Sequence, residues 1–382
     1  MEIDLPYARY QRNSGSERLY VCFSSRNRKP GTFDRFFAPE GVKASYIFLN
    51  CENNWYHDGI PGLGGVSESL SWLRSAIRDS GARFVTCIGS SMGAFGALWY
   101  GLHVQADCVV AFAPETVMNV LGGHSVTNMN GRDTFFLSDL SPSTTNIAYV
   151  SGDRSPIDVY CGDYASRRVG GRHLVVKGAG HETAKFLRVS GDLEVFIESC
   201  VSGQVGRFAF ENEEASLNDK LSPLRVEPTQ LTPERVVSYV ESLTSLTKAD
   251  LLSIADFMTS RRLLPVALRV CEVIGERYGL CAEARFVFGN ALLKSGRYSE
   301  ADEQLLESLS GKPVDYRTSF ALAWSYDRQK RYDEAKQFCE LAMSTCVGDL
   351  SKPQRKACTD LLLRIDGGLA DKFKDKPLVA SA

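Results

Sequence analysis

A serine held between two glycines, Gly89-Ser90-Ser91-Met92-Gly93, stands where the apolar run ARFVTCIG (82–89) gives way to the helix-like GAFGALWYG. A strand before and a helix after are the context that a G-x-S-x-G nucleophile requires. The turn must be sharp, so the positions two before and two after the serine must be nearly free of side chain. Gly89 and Gly93 meet that need. Such a turn aims Ser91 Oγ off the strand end, at the place where the helix N-terminus directs its free N–H groups and dipole. The chemistry on offer is attack on an acyl carbonyl, with Met92 N–H as one donor of an oxyanion hole. A glycine-rich turn without chemistry is the plainer alternative, and Ser90 is read as a bystander.

Serine is a weak nucleophile unless a histidine takes its proton and a carboxylate orients that histidine. After a nucleophile of this kind the chain order is acid, then histidine. Of the five histidines, His57, His103 and His124 come too early and His173 falls inside the strand-like HLVVKG (173–178), whereas His181 follows it in GAGHE. His181 is the expected base. The acid departs from pattern, because the usual position three residues past Gly152 is Ser155. Asp158, opening the helix-like DVYCGDYA, is favoured over Asp153, which could simply cap a turn; Asp163 is a remote third. The second oxyanion donor is expected from the loop Phe23-Ser24-Ser25-Arg26, at the backbone N–H of Ser25. In WYHDGIPGLG (55–64), which follows a strand end, Trp55 and Tyr56 are candidate substrate-binding aromatics, although packing of the loop explains Trp55 equally well. Nothing in the pattern calls for a metal or a cofactor.

The elements that must position these residues are short apolar runs alternating with amphipathic stretches. LYVCFS (19–24), ASYIFLN (44–50), ARFVTCIG (82–89), CVVAFAP (108–114), IAYVSG (147–152) and HLVVKG (173–178) read as strands, and SESLSWLRSAIRDSG (67–81) reads as a helix. Continuous apolar strands separated by helices predict a mainly parallel sheet covered on both faces, an α/β class. From about Thr232 the strands stop. Ala267, Ala301 and Ala335 are spaced by 34 residues, as are Leu264, Tyr298 and Tyr332, and Ala255, Gly289 and Ala323. That period predicts an all-α array of helix pairs. The expected divisions are a catalytic domain over 1–205, a polar linker over 206–231 containing Pro223 and Pro228, a repeat domain over 232–370 and a fraying tail over 371–382.

The middle copy, AEARFVFGNALLKSGRYSEADEQLLESLSGKP (282–313), resembles the tetratricopeptide repeat, with Gly289, Gly296, Tyr298, Ala301 and Pro313 in place. The flanking copies match less well, the third having Lys330 where the turn glycine belongs. The elbow GSSMGAFGALWYG, together with WYHDGIPGLG and GAGHETAKFL, resembles the α/β hydrolases associated with bacterial surface glycans. It also resembles the glycan O-acetyltransferases of accessory secretion systems. The resemblance spans roughly 18–200 and implies an α/β-hydrolase fold with acyl-ester chemistry on sugar hydroxyls, carried by Ser91, Asp158 and His181. The stretch 115–144 is too short for a large lid, which favours an open site.

With 44% hydrophobic and 24% charged residues and a net charge of −2, the chain fits a folded protein with no broad attraction to nucleic acid. The amino terminus lacks the basic start and apolar stretch of a secretory signal, and no apolar run reaches the ~20 residues of a membrane span. Eleven scattered cysteines fit buried thiols better than a disulfide framework. A cytoplasmic location is expected. The leading reading is a serine esterase or O-acyltransferase on a carbohydrate or small polar ester, whose repeats dock a partner along a concave face including Arg285, Phe288, Asn290, Arg317 and Ser319. A peptidase or thioesterase on the same triad, a catalytically silent scaffold and a homo-oligomer remain open alternatives.

Overall fold

In the computed structural model, the residues described are 3–52, 56, 58–117, 120–123, 125, 145–204, 220–227, 230–310, 315–344 and 352–374. The chain divides into two compact units, residues 1–232 and 233–382. No helix among the described residues is long and apolar enough to cross a membrane.

The first unit is built on an eight-stranded sheet. Its strands are β1 (Ile3–Leu5), β2 (Ala8–Gln11), β3 (Arg18–Phe23), β4 (Ser45–Leu49), β5 (Phe84–Ser90), β6 (Cys108–Phe112), β7 (Asn146–Gly152) and β8 (Arg172–Val176). The spatial order is β1-β2-β4-β3-β5-β6-β7-β8. β1 and β2 are antiparallel to their neighbours, and from β4 to β8 every pairing is parallel. The six strands expected from apolar runs are all present. The two edge strands at the amino terminus were not foreseen.

Parallel strands must be covered on both faces, and the side chains alternate accordingly. Leu19, Val21 and Phe23 of β3 join one core, whereas Tyr20 and Cys22 join the other. The first core is completed by α1 (Val66–Ser80), α2 (Met92–His103) and α3 (Pro156–Val169), through Leu73, Phe95, Leu98 and Val169 among others. The second is covered by α4 (Thr183–Ser190) and α5 (Leu193–Val201), through Leu187, Phe196 and Ile197. This sheet order with helices on both faces is the α/β-hydrolase fold. Burial pushes the Cys22, Cys108 and Cys200 thiols up to about 12, so these sulfurs are protonated packing atoms.

Part of the stretch expected to be linker is instead anchored to α3. Tyr160 Oη donates to the Val226 carbonyl at 2.7 Å, and Arg168 Nη2 pairs with Glu227 Oε1 at 2.6 Å. The unit therefore runs on to 232 rather than ending at 205. Residues 205–219 lie outside those described.

Among its described residues the second unit consists of helices joined by short turns, without a strand. After α6 (Pro233–Ser242) come three antiparallel pairs: α7 (Lys248–Ser260) with α8 (Leu264–Tyr278), α9 (Ala282–Lys294) with α10 (Tyr298–Leu309), and α11 (Tyr316–Arg328) with α12 (Tyr332–Ser344). A last helix, α13 (Lys352–Lys374), follows and extends beyond the expected end of the repeat domain. The 34-residue period has a packing cause. Ala267, Ala301 and Ala335 are fully buried, and a Cβ on Gly289 would lie 2.7 Å from Leu305 Cγ. The turn that Gly296 makes at φ 80° is made by Arg262 at φ 59° and Lys330 at φ 60° in the flanking copies. A non-glycine residue in that conformation costs on the order of 1 kcal/mol, and the buried helix faces on either side impose it.

Candidate active site

The loops after β3, β5, β7 and β8 meet at the carboxyl edge of the sheet, where ligands of open parallel sheets bind. The turn from β5 into α2 brings Ser91 there at φ 55°, ψ −122°, a strained conformation for a residue with a side chain. Both flanking glycines are needed. A Cβ on Gly93 would run into the Phe23 carbonyl, and one on Gly89 would run into the backbone of Gly93 and Ala94.

His181 Nε2 lies 2.9 Å from Ser91 Oγ. Its Nδ1 lies 2.9 Å from Asp158 Oδ2 and 3.1 Å from Oδ1. Asp158 is buried while the imidazole is partly open, with side-chain exposures of 2% and 25%. Ser91 stands at the turn into α2, Asp158 in the first turn of α3 and His181 in the loop after β8, and together they form an unbroken run of hydrogen bonds from carboxylate to imidazole to hydroxyl. Asp153 is used differently: its Oδ1 accepts the Gly178 N–H at 2.8 Å, so it pins the turn after β8. Asp163 pairs with Arg167 at 2.9 Å along α3.

Asp158 is also held by its backbone. Ser151 Oγ donates to the Asp158 carbonyl at 2.8 Å and lies 3.0 Å from His173 Nε2. With the hydroxyl proton committed to the carbonyl, His173 Nε2 must carry a hydrogen, so the neutral ring is the Nε2–H tautomer. Burial pushes His173 down to about 4, against about 6.5 in an unfolded chain. The unfolded chain therefore binds the extra proton first, so the stability from this residue is complete above pH 6.5. It is lost as pH falls toward 4, by up to about 3 kcal/mol. His173→Gln, which keeps a donor for Ser151, should flatten the fall in Tm of this unit across that window in calorimetry. An unchanged slope would assign the acid sensitivity to other groups.

Two expected roles are corrected. Tyr56, a candidate for substrate contact, is fully buried at φ 64°, and its hydroxyl donates to the Ser24 carbonyl at 3.0 Å. Its ring packs edge-on against Phe23, with centroids 5.3 Å apart, and abuts Gly96 of α2. It braces the loop after β3 from beneath and presents no face to a ligand. Ser25 N–H, the expected second oxyanion donor, is given to Asp34 Oδ2 at 2.7 Å and is not directed at an empty site. Met92, as the first residue of α2, has no intrahelical acceptor for its N–H. Trp55, His57, His124 and most of 115–144 lie outside the described residues.

A cavity of about 300 Å³ opens in front of Ser91, walled by the loop after β3 and by α4. Arg26, Arg28, Asp34, Glu182, Lys185 and Arg188 line it. None of these charged residues was foreseen. The signal was available in outline, because Arg26 and Arg28 directly follow a strand end, and Lys185 and Arg188 stand one helical turn apart just past His181.

Residues 316–345, the third copy of the 34-residue period, match the tetratricopeptide repeat family. No curated protein matches the chain. Among solved structures, the chain is similar to the capsule O-acetyltransferase of Neisseria meningitidis serogroup A. The identity is 12%, covering 53% of this chain and 94% of that one, with a TM-score of 0.35. It is likewise similar to an α/β serine hydrolase homologue from Coxiella burnetii, at 13% identity, 53% and 98% coverage and a TM-score of 0.33. A lidless α/β serine hydrolase from Xanthomonas campestris aligns at 11% identity, 56% and 96% coverage and a TM-score of 0.32. Likeness at this level adds nothing to the fold that the sheet order already gives.

Proposed function

We propose that the first unit is a serine esterase or O-acyltransferase acting on an ester of a carbohydrate or small polar molecule. The observation that carries this is the run of hydrogen bonds from Asp158 through His181 to Ser91 Oγ. Ser91 Oγ attacks the ester carbonyl as His181 Nε2 takes its proton, and Asp158 stabilises the resulting imidazolium. Met92 N–H and the positive end of α2 face the developing oxyanion. The alcohol leaves with the proton from His181, and the acyl group stays on Ser91. Water or a sugar hydroxyl then attacks, returning its proton through His181 and freeing the serine. The sugar class rests on the resemblance of the elbow motif.

Purified protein should release 4-nitrophenol from its acetate ester, and a fluorophosphonate should label Ser91. A glycan acceptor that gains acetyl groups would mark a transferase, whereas release of free acetate alone would mark a hydrolase. Labelling at another residue in turnover-competent protein would sink the triad.

In the second unit, the reading is a docking array for an acidic segment of a protein partner. A groove of about 790 Å³ is lined by Arg262, Lys294, Arg317 and Arg328 together with Phe286, Tyr316, Phe320 and Trp324. None of its four cations is ion-paired to a carboxylate among the described residues. Arg317 lies 4.5 Å over Phe286 and Arg328 4.8 Å over Trp324, so one face of each of these rings carries a guanidinium whose edge is left for a carboxylate. Of the residues expected on this face, Asn290 and Arg317 line the groove. Arg285 instead bonds to Gln304 and pairs with Glu307, and Ser319 is buried. A labelled acidic peptide should bind the full chain with an affinity that falls as salt rises, and should not bind the fragment 1–232. Binding indifferent to salt would exclude this docking mode.

A further inference from the structure

We infer that the ester turned over at Ser91 carries an anionic group, a carboxylate or a phosphate, near its scissile bond, and that Arg26 and Arg188 receive it. This rests on the serine-acyl reading of the same site. The cavity before Ser91 brings together four cations and two carboxylates, and their pairing is uneven. Arg28 Nη2 meets Asp34 Oδ1 at 2.5 Å, and Lys185 Nζ meets Glu182 Oε2 at 2.7 Å. Those four charges cancel locally. Arg188 donates through Nη2 to the Arg35 carbonyl at 2.7 Å, which fixes its direction without cancelling its charge. The same guanidinium lies 5.9 Å from the Phe36 ring centroid, so less side-chain freedom remains to be lost on binding. Arg26 has no carboxylate within ion-pair distance among the described residues.

The surplus is therefore two guanidinium groups on the wall of a cavity that already holds the positive end of α2. A neutral short-chain ester would gain no charge–charge attraction from either. A carboxylate or phosphate suits the guanidinium fork, which can engage two oxygens of one anion at once. The chain as a whole has a net charge of −2, so this local excess runs against the protein's own average. A concave site of one sign raises the local concentration of the opposite one and so acts on KM.

Three esters test the idea on the full chain: 4-nitrophenyl acetate, which is neutral; mono-4-nitrophenyl succinate, charged on the acyl side; and 4-acetoxybenzoate, charged on the alcohol side. After correction for the spontaneous hydrolysis of each, kcat/KM for one of the charged esters should exceed that for the acetate by about tenfold at low salt. Which ester wins tells on which side of the scissile bond the anion sits. The preference should shrink as salt rises, and Arg26→Glu and Arg188→Glu should each cancel or invert it, chiefly through KM. Succinate and inorganic phosphate should slow labelling of Ser91 by a neutral fluorophosphonate in the wild type and not in Arg26→Glu. Charge-blind kcat/KM ratios, or protection from labelling that survives Arg26→Glu, would overturn the inference while leaving the serine chemistry standing. Absence of both turnover and labelling would overturn the reading beneath it.

Discussion

Ser91→Ala should remove ester turnover almost completely, by on the order of 10⁶ in kcat, while the protein keeps its thermal stability. The size follows from what the hydroxyl does. Without Oγ no acyl-enzyme forms, and the imidazole 2.9 Å away has no proton to take from the enzyme. Residual acceleration would come only from the donors at the start of α2 and from substrate binding, which together leave a modest advantage over water. Stability should hold because an alanine at φ 55° occupies the same turn that the serine already strains into. Covalent labelling is the cleaner check, since fluorophosphonate incorporation must vanish with the hydroxyl. Full turnover by Ser91→Ala would transfer the chemistry to another group and remove the basis for every role assigned around it.

The parts of this molecule that were legible in sequence are those governed by local rules. A buried parallel strand is a continuous apolar run, and β3 to β8 all announce themselves in that way. β1 and β2, with sequences IDL and ARYQ, are too short and too polar to do so, and they exist because the free edge of β4 accepts them. The elbow was legible because Gly89 and Gly93 answer to one steric demand. What sequence could not show depends on contacts between loops. Ser25 loses its N–H to a carboxylate nine residues further on, and no periodicity encodes that bond. Tyr56 turns into the core because its backbone takes φ 64°, whereas spacing alone made it look like a rim aromatic. Arg26 and Arg188 are far apart in the chain and share one cavity only once β3 and β8 have been set in their places in the sheet.

Asp158→Asn should lower kcat by about 10⁴, the cost of leaving the imidazole without the partner that selects its tautomer and stabilises its cation. An asparagine can still reach His181 Nδ1, but its amide can present N–H where the carboxylate presents only acceptors. The imidazole then turns its hydrogen toward Ser91 and cannot accept from it. The fold should survive, because the main chain at 158 is held independently by Ser151 Oγ, and that hydroxyl is held in turn by His173. The control is Asp153→Asn, whose remaining carbonyl oxygen can still accept the Gly178 N–H, so turnover should stay within a few-fold of the wild type. The two substitutions remove the same charge five residues apart and differ only in which group each carboxylate serves. Steady-state rates for both, measured where His181 is neutral, therefore separate a triad acid from a turn cap. The reverse ranking would move the acid to Asp153 and require the His181 loop to rearrange before catalysis.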